Sequence, residues 1–181
     1  MKENHHHIRI SAAAKADLKW WVKGLDIFHG STPFTCDIAL PSYQFSTDAC
    51  LLGGGAVFAG DWFYASWSMD FPEIQHSHIN VLELQTVLLA ARRWGHLWTG
   101  KHVVVRSDNT VSVAAVNNGT SRSLEILDIV QNLFWTSVKF GFKLSANYIP
   151  GRLNVVSDRL SRIHDPLAAC EFQQLIVVEW C

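Results

Sequence analysis

With 181 residues, 49% of them apolar and 17% charged, the chain has enough apolar content for one domain with a buried core plus a short appendage, and too much for wholesale disorder. Fifteen Lys and Arg stand against sixteen Asp and Glu, which excludes a strongly basic domain; any nucleic-acid binding must use local clusters, a neighbouring domain or bound cations. No apolar run is long enough for a membrane span, no secretory leader is evident and the four cysteines form no Cys-x-x-Cys pair, so the expectation is an intracellular protein with free thiols, cytoplasmic or nuclear.

In chain order, His5 to His7 belong to a polar lead-in that carries no assigned chemistry. Ser11 can cap a helix in which Leu18, Trp21, Val22, Leu25 and Phe28 recur at helical spacing, and Gly30-Ser31-Thr32-Pro33 ends it. Residues 1–40 are therefore expected to form an N-terminal helical extension, packed on the main core or docking an upstream domain. From Pro41 the pattern changes. Tyr43 to Asp48 alternates, with Asp48 on the same face as Gln44 and Ser46. Gly53-Gly54-Gly55 and Ala56 to Ala59 read as a turn and a second strand, and Trp62 to Ser68 as a third, making an antiparallel meander.

A long helix is predicted over 78–98, with Glu83 inside its broad apolar face and Gly100 stopping it. Lys101 to Val105 is apolar on both faces, as a central parallel strand is. Helices over 109–118 and 123–140, a fifth strand over 143–149 and a helix over 155–162 follow; the tail, 165–181, reads as helical with no assignable role. The predicted class is α/β: a five-stranded mixed sheet in the order βββαβααβα with helices on both faces, spanning 41–164. The eight tryptophans are a heavy load, and some are expected at a partner surface.

Four acids stand out because each lies in or beside an apolar segment: Asp48, Glu83, Asp108 and Asp158. A buried ionised carboxylate has to be paired, protonated or bound to a metal. Singly, each has a plain reading: Asp48 as a strand-end turn residue, Asp108 as a helix cap, Glu83 as an ion-pair partner, Asp158 as a solvated helix acid. Together they sit on central strands and on helices that must pack near those strands. If they converge, they suit hard octahedral cations such as Mg2+, and two such ions can drive phosphodiester hydrolysis.

The order Asp, Glu, Asp, Asp in these contexts resembles type 1 ribonuclease H over roughly residues 43–162. Three segments, His78 to Leu84, Ser107-Asp108-Asn109 and Ile149 to Arg162, are similar to reverse-transcriptase ribonuclease H of retrotransposons, and Asp158-Arg159-Leu160-Ser161-Arg162 to that of the tyrosine-recombinase (DIRS-like) elements. The resemblance implies a ribonuclease H-like fold and cleavage of the RNA strand of RNA–DNA hybrids, leaving 5′-phosphate and 3′-hydroxyl ends. It implies two Mg2+ ions, replaceable by Mn2+, one on Asp48 and Asp158 and one on Asp48, Glu83 and Asp108. It also implies an upstream reverse-transcriptase polymerase, joined through residues 1–40.

Asn109, Arg152, Asn154 and Arg159 are the expected nucleic-acid contacts, with Asn154 one turn before Asp158 and able to cap its helix. Arg106, Arg122 and Arg162 are further candidates for phosphates, and Trp62 or Trp67 for stacking on a base or sugar. Many relatives carry a histidine before the last aspartate; Pro150 to Ser157 contains none, which bears on rate more than on reaction. Two alternatives stay open. One is a catalytically weak or inactive docking module, against which the retention of all four acids speaks. The other is a different nuclease on the same fold; a final aspartate in place of glutamate, and a single acid in the first strand, speak against that.

Overall fold

The computed structural model describes residues 9–25 and 41–179. The chain divides into two compact units, Met1–Thr32 and Pro33–Cys181. In the first, α1 spans Ala12–Leu25, and the Ser11 hydroxyl accepts the Ala14 N–H at 3.1 Å, the cap expected of it. Leu18, Trp21, Val22 and Leu25 are exposed, and Trp20 meets Trp21 edge-on. The Gly30 to Pro33 turn and Phe28 lie outside the described residues.

The second unit is one mixed sheet in the order β3-β2-β1-β4-β5. Strands β1 (Tyr43–Ala49), β2 (Gly53–Phe58) and β3 (Asp61–Ser66) form the antiparallel meander. Strand β4 (His102–Ser107) runs parallel to β1 and to β5 (Lys143–Tyr148), which explains its apolar character on both faces. Register places Asp48 opposite Gly55 and Ser46 opposite Arg106, so Asp48 and the residue just past β4, Asp108, belong to the same face of adjacent strands.

Helices α3 (Ile79–Trp94), α4 (Thr110–Asn118) and α5 (Leu124–Phe140) belong with the main core, where Phe45, Trp94 and Trp98 pack with Val103, Val105 and Leu133. Helices α6 (Val155–Ser161) and α7 (Pro166–Glu179) pack on one another, α6 lying on β1 and β2. Val81, Leu82, Glu83 and Leu84 are consecutive and all buried, because α3 contacts the main core on one side and a second cluster with Ala49, Ala65 and Trp67 on the other. Fully burying leucines such as Leu82 and Leu84 contributes roughly 2 kcal/mol each.

Three boundaries differ from expectation. Gly53 to Gly55, read as a turn, belong to β2 itself and pair with β3, Gly54 and Gly55 also with β1. The third strand stops at Ser66, and Trp67–Asp70 forms a short helix, α2. The Asp70 carboxylate accepts the Ser66 N–H, and the buried Trp67 indole donates to the Cys50 carbonyl at 2.9 Å, so this tryptophan anchors a turn inside the core. The α3 helix ends at Trp94, and a 3₁₀ turn over Gly95–Leu97 carries the apolar pattern on to Trp98. There Asp61 accepts from Arg93 Nε and from the Trp94 indole, which ties the start of β3 to the end of α3.

The described part of the tail is helical over Pro166–Glu179, as expected, and packs on the sheet unit: Phe172 is buried and meets Trp62 edge-on. Among the described residues Cys50 and Cys170 are free thiols, and no helix is long and apolar enough to cross a membrane.

Candidate active site

Strands β1 and β4 bring Asp48 and Asp108 side by side, and α3 delivers Glu83 to them from the apolar side. One carboxylate oxygen from each of these three lies within 4.8 Å of the others. Asp48 and Glu83 are each 5% exposed, too little for water to screen three charges at this spacing. Burial, with Asp48 and Asp108 adding repulsion, pushes the Glu83 carboxyl up to about 9. Burial likewise raises Asp48 to about 6, with Asp108 and Asp158 adding to it and a hydrogen bond from Ser161 opposing it.

The Ala49 backbone N–H donates to the Glu83 carboxylate, while Glu83 Oε2 is buried and meets no hydrogen-bond partner among the described residues. An orphaned buried carboxylate oxygen beside two further carboxylates is the environment that a hard divalent cation relieves. The donor set, three carboxylates and no sulfur or imidazole, fits such an ion, with Asp48, Glu83 and Asp108 as the residues that would hold it.

The pH dependence follows from the direction of the shifts. Both carboxyls have folded pKa values above their ordinary ones, so the metal-free fold holds protons that the unfolded chain has lost. The contribution of these two groups to its stability is full below about pH 4 and is lost as pH rises to about 6 for Asp48 and about 9 for Glu83. A cation must displace the Glu83 proton, so its affinity is expected to rise with pH from 6 to 9, with proton release on binding. Calorimetric titration of Mn2+ in buffers of different ionisation enthalpy checks this; a pH-independent affinity would contradict it.

Asp158 is not part of this cluster. Its Oδ2 accepts from Arg159 Nη1, and its Oδ1 from Arg162 Nε at 3.0 Å. It is near enough to raise the Asp48 pKa, yet both of its oxygens are occupied by guanidinium donors. The helix that carries it is clamped to β1. Asn154 Nδ2 donates to the Thr47 carbonyl at 2.9 Å, Ser157 Oγ donates to Ser46 Oγ at 2.7 Å, and the Ser161 hydroxyl donates to Asp48 Oδ2.

The remaining candidates fall into two groups. Asn109 caps α4, its Oδ1 accepting the Ser112 N–H at 2.9 Å, the role considered for Asp108; its amide donates to Asn80 Oδ1. Arg152 is exposed on the 3₁₀ turn Gly151–Leu153, at the rim beside Asp108. A Cβ on Gly151 would lie 2.7 Å from Asp108 Oδ2, so a larger residue in this turn would push the carboxylate aside.

Asn154 corrects an expectation: it occupies the N-cap position of α6, but its side chain makes no cap bond. At 2% exposure its amide nitrogen is bonded to the Thr47 carbonyl, which holds α6 on β1, while its Oδ1 is buried and meets no partner among the described residues. Arg159 is likewise engaged, Nη1 on Asp158 and Nε on Glu171 of α7. Trp67 is buried and cannot stack on a base, and Trp62 packs on Phe172. Ser157, Ser161 and Glu171 are contributors the sequence reading did not single out. Asn154, Ser157 and Ser161 stand at spacings of three and four, a polar stripe on one helix face, which is the signal that could have found the two serines.

No protein-family model matches the sequence, and comparison with curated proteins finds no match. Solved structures do match. The N-terminal ribonuclease H domain of Rv2228c from Mycobacterium tuberculosis, solved as a fusion with maltose-binding protein, aligns over 72% of this chain and 99% of its own, with a TM-score of 0.52 and 16% identity. The chain has a ribonuclease H-like fold. Two further matches are ribonuclease H1 from Halobacterium salinarum (13% identity, 67% of this chain and 95% of that one, TM-score 0.48) and LC11 ribonuclease H1 in complex with an RNA/DNA hybrid (17%, 66% and 93%, TM-score 0.49). The fold assignment rests on the first of these and on the sheet order. In this ribonuclease H-like fold the three clustered acids occupy the carboxyl end of the paired strands β1 and β4 and the first turns of α3.

Proposed function

We propose that the protein is a metal-dependent endonuclease that hydrolyses the RNA strand of RNA–DNA hybrids during reverse transcription of a retrotransposon, with residues 1–40 joining it to an upstream polymerase. The observation that carries the catalytic part is the buried triad Asp48, Glu83 and Asp108 with an orphaned Glu83 oxygen, on a ribonuclease H-like fold. The retrotransposon context rests on the motifs Ser107-Asp108-Asn109 and Asp158 to Arg162.

In this reading the acids would hold two Mg2+ ions, which when bound would supply an activated water and charge stabilisation at the leaving 3′ oxygen, the chemistry that leaves 5′-phosphate and 3′-hydroxyl ends. The protein's own part is positional. Asp48 is held by the Ser161 hydroxyl and Glu83 by the Ala49 N–H, so neither acid has to be ordered when substrate arrives. Asp158, on the clamped helix α6, is the fourth acid, next to Asp48. Arg152, exposed on the turn beside Asp108, is placed to meet a phosphate. The segment between Asp48 and Glu83 is the proposed contact for the 2′-hydroxyls that mark the RNA strand. With near-neutral charge overall, binding is expected to be weak and to fall steeply with salt.

The test is cleavage of a hybrid labelled on either strand, in Mg2+ and in Mn2+, across a salt series. The RNA strand should be cut to 5′-phosphate products, and Asp108→Asn should lower the rate on the order of a thousandfold. A folded protein that cuts neither strand in either ion would support an inactive docking module instead.

A further inference from the structure

The fourth acid is neutralised from within the protein. Both Asp158 oxygens carry guanidinium donors, from Arg159 and Arg162, and Arg159 is gripped from its other side by Glu171 of α7. The Arg159 and Glu171 side chains are 35% and 41% exposed, but the backbone that carries the arrangement is fixed. Asp158 is about a quarter exposed, its helix is clamped on β1 through Asn154 and Ser157, and α7 is anchored by the buried Phe172. Neither end of the Glu171–Arg159–Asp158 relay is therefore carried by a loose segment.

We propose that Arg159 is a lock on Asp158 and that Glu171, from the C-terminal helix, sets the strength of that lock. A cation at Asp158 has to share its oxygens with guanidinium donors and sit beside the positive charge of Arg159. Glu171, already paired with Arg159, offsets this charge. Both residues are positioning residues, acting on the cation site only through Asp158. The C-terminal tail, otherwise without a role, becomes the element that tunes the second cation site. This rests on the metal-centre reading of the acids.

The proposal predicts opposite signs for two substitutions on adjacent elements. Arg159→Gln removes the competing charge and should tighten the second Mn2+ site on the order of tenfold. Glu171→Gln leaves Arg159 uncompensated and should weaken that site by a comparable factor. In the double variant the Glu171→Gln effect should vanish, because Glu171 acts through Arg159. A purely structural role would instead weaken binding in both single variants.

The experiment is a titration of the whole protein with Mn2+ followed by electron paramagnetic resonance, which counts bound ions without turnover. Affinity at the first site serves as the fold check, and Arg159→Lys is a milder variant expected to keep the lock. Asp158→Asn should remove the second site in every background. First-site binding with same-sign, absent or non-epistatic effects at the second site overturns the lock and leaves the metal centre standing. No Mn2+ binding at all overturns both.

Discussion

Glu83→Gln is expected to make the metal-free protein more stable at pH 7, by about 1–3 kcal/mol, while removing the stabilisation that Mg2+ gives the wild type. The carboxyl is pushed up to about 9 by burial and by Asp48 and Asp108, so holding it at neutral pH costs the fold either a charge or a bound proton. Glutamine keeps an acceptor for the Ala49 N–H, carries no charge, and its amide N–H groups can donate to the neighbouring carboxylates. Urea unfolding with EDTA and with Mg2+, for both proteins, reads the two effects separately. The gain should be small at pH 5, where Glu83 is protonated in the fold, and should grow toward pH 9. A variant less stable than wild type in EDTA would show that Glu83 serves the fold as an ionised acceptor, with no strained site to relieve.

The second large effect is expected at the glycines of β2, where neighbours on opposite sides of the sheet leave no room for a methyl group. A Cβ on Gly54 would press on the Thr86 hydroxyl and lie 2.7 and 2.8 Å from ring carbons of Trp67. Thr86 and Trp67 are fully buried and cannot move aside, so Gly54→Ala should destabilise by about 3 kcal/mol. A Cβ on Gly55 would lie 2.5 Å from Leu160 Cγ, two residues beyond Asp158 on α6. The short helix α6 can yield where the core cannot. Gly55→Ala is therefore expected to cost less stability than Gly54→Ala and more cleavage rate per unit of stability lost, because it displaces Asp158 and Ser161. Denaturation midpoints and single-turnover rates for the two variants decide this. Full activity in Gly55→Ala would show that the position of α6 does not matter to the reaction.

Periodicity carried much of the architecture. The alternation from Tyr43 to Asp48 placed Asp48 on a sheet face, and the two-sided apolar run before Asp108 marked β4 as flanked by parallel strands, as it is. The tight approach of elements was not legible. Trp67 continues an alternating aromatic run yet turns into the core, because its indole finds the Cys50 carbonyl and Asp70 closes the turn. Asn154 looked like a cap because caps are local, whereas its bond to Thr47 spans more than a hundred residues of chain and exists only once α6 lies on β1.

The acids divided in the same way. Asp48, Glu83 and Asp108 are gathered by strand register and helix burial, which leave patterns in sequence. The Asp158–Arg162 pair is an i,i+4 spacing that the sequence does show, whereas the pairing of Arg159 with Glu171 exists only once α7 lies against α6.

The most direct test of the central claim is a crystal structure of the protein soaked in Mn2+, with anomalous scattering used to locate the ion. The account predicts a peak among the carboxylates of Asp48, Glu83 and Asp108, with Glu83 Oε2 as one of its ligands, and loss of that peak in Asp108→Asn. Ordered carboxylates with no peak between them at saturating Mn2+ would contradict it, since the triad would then be held by protons alone.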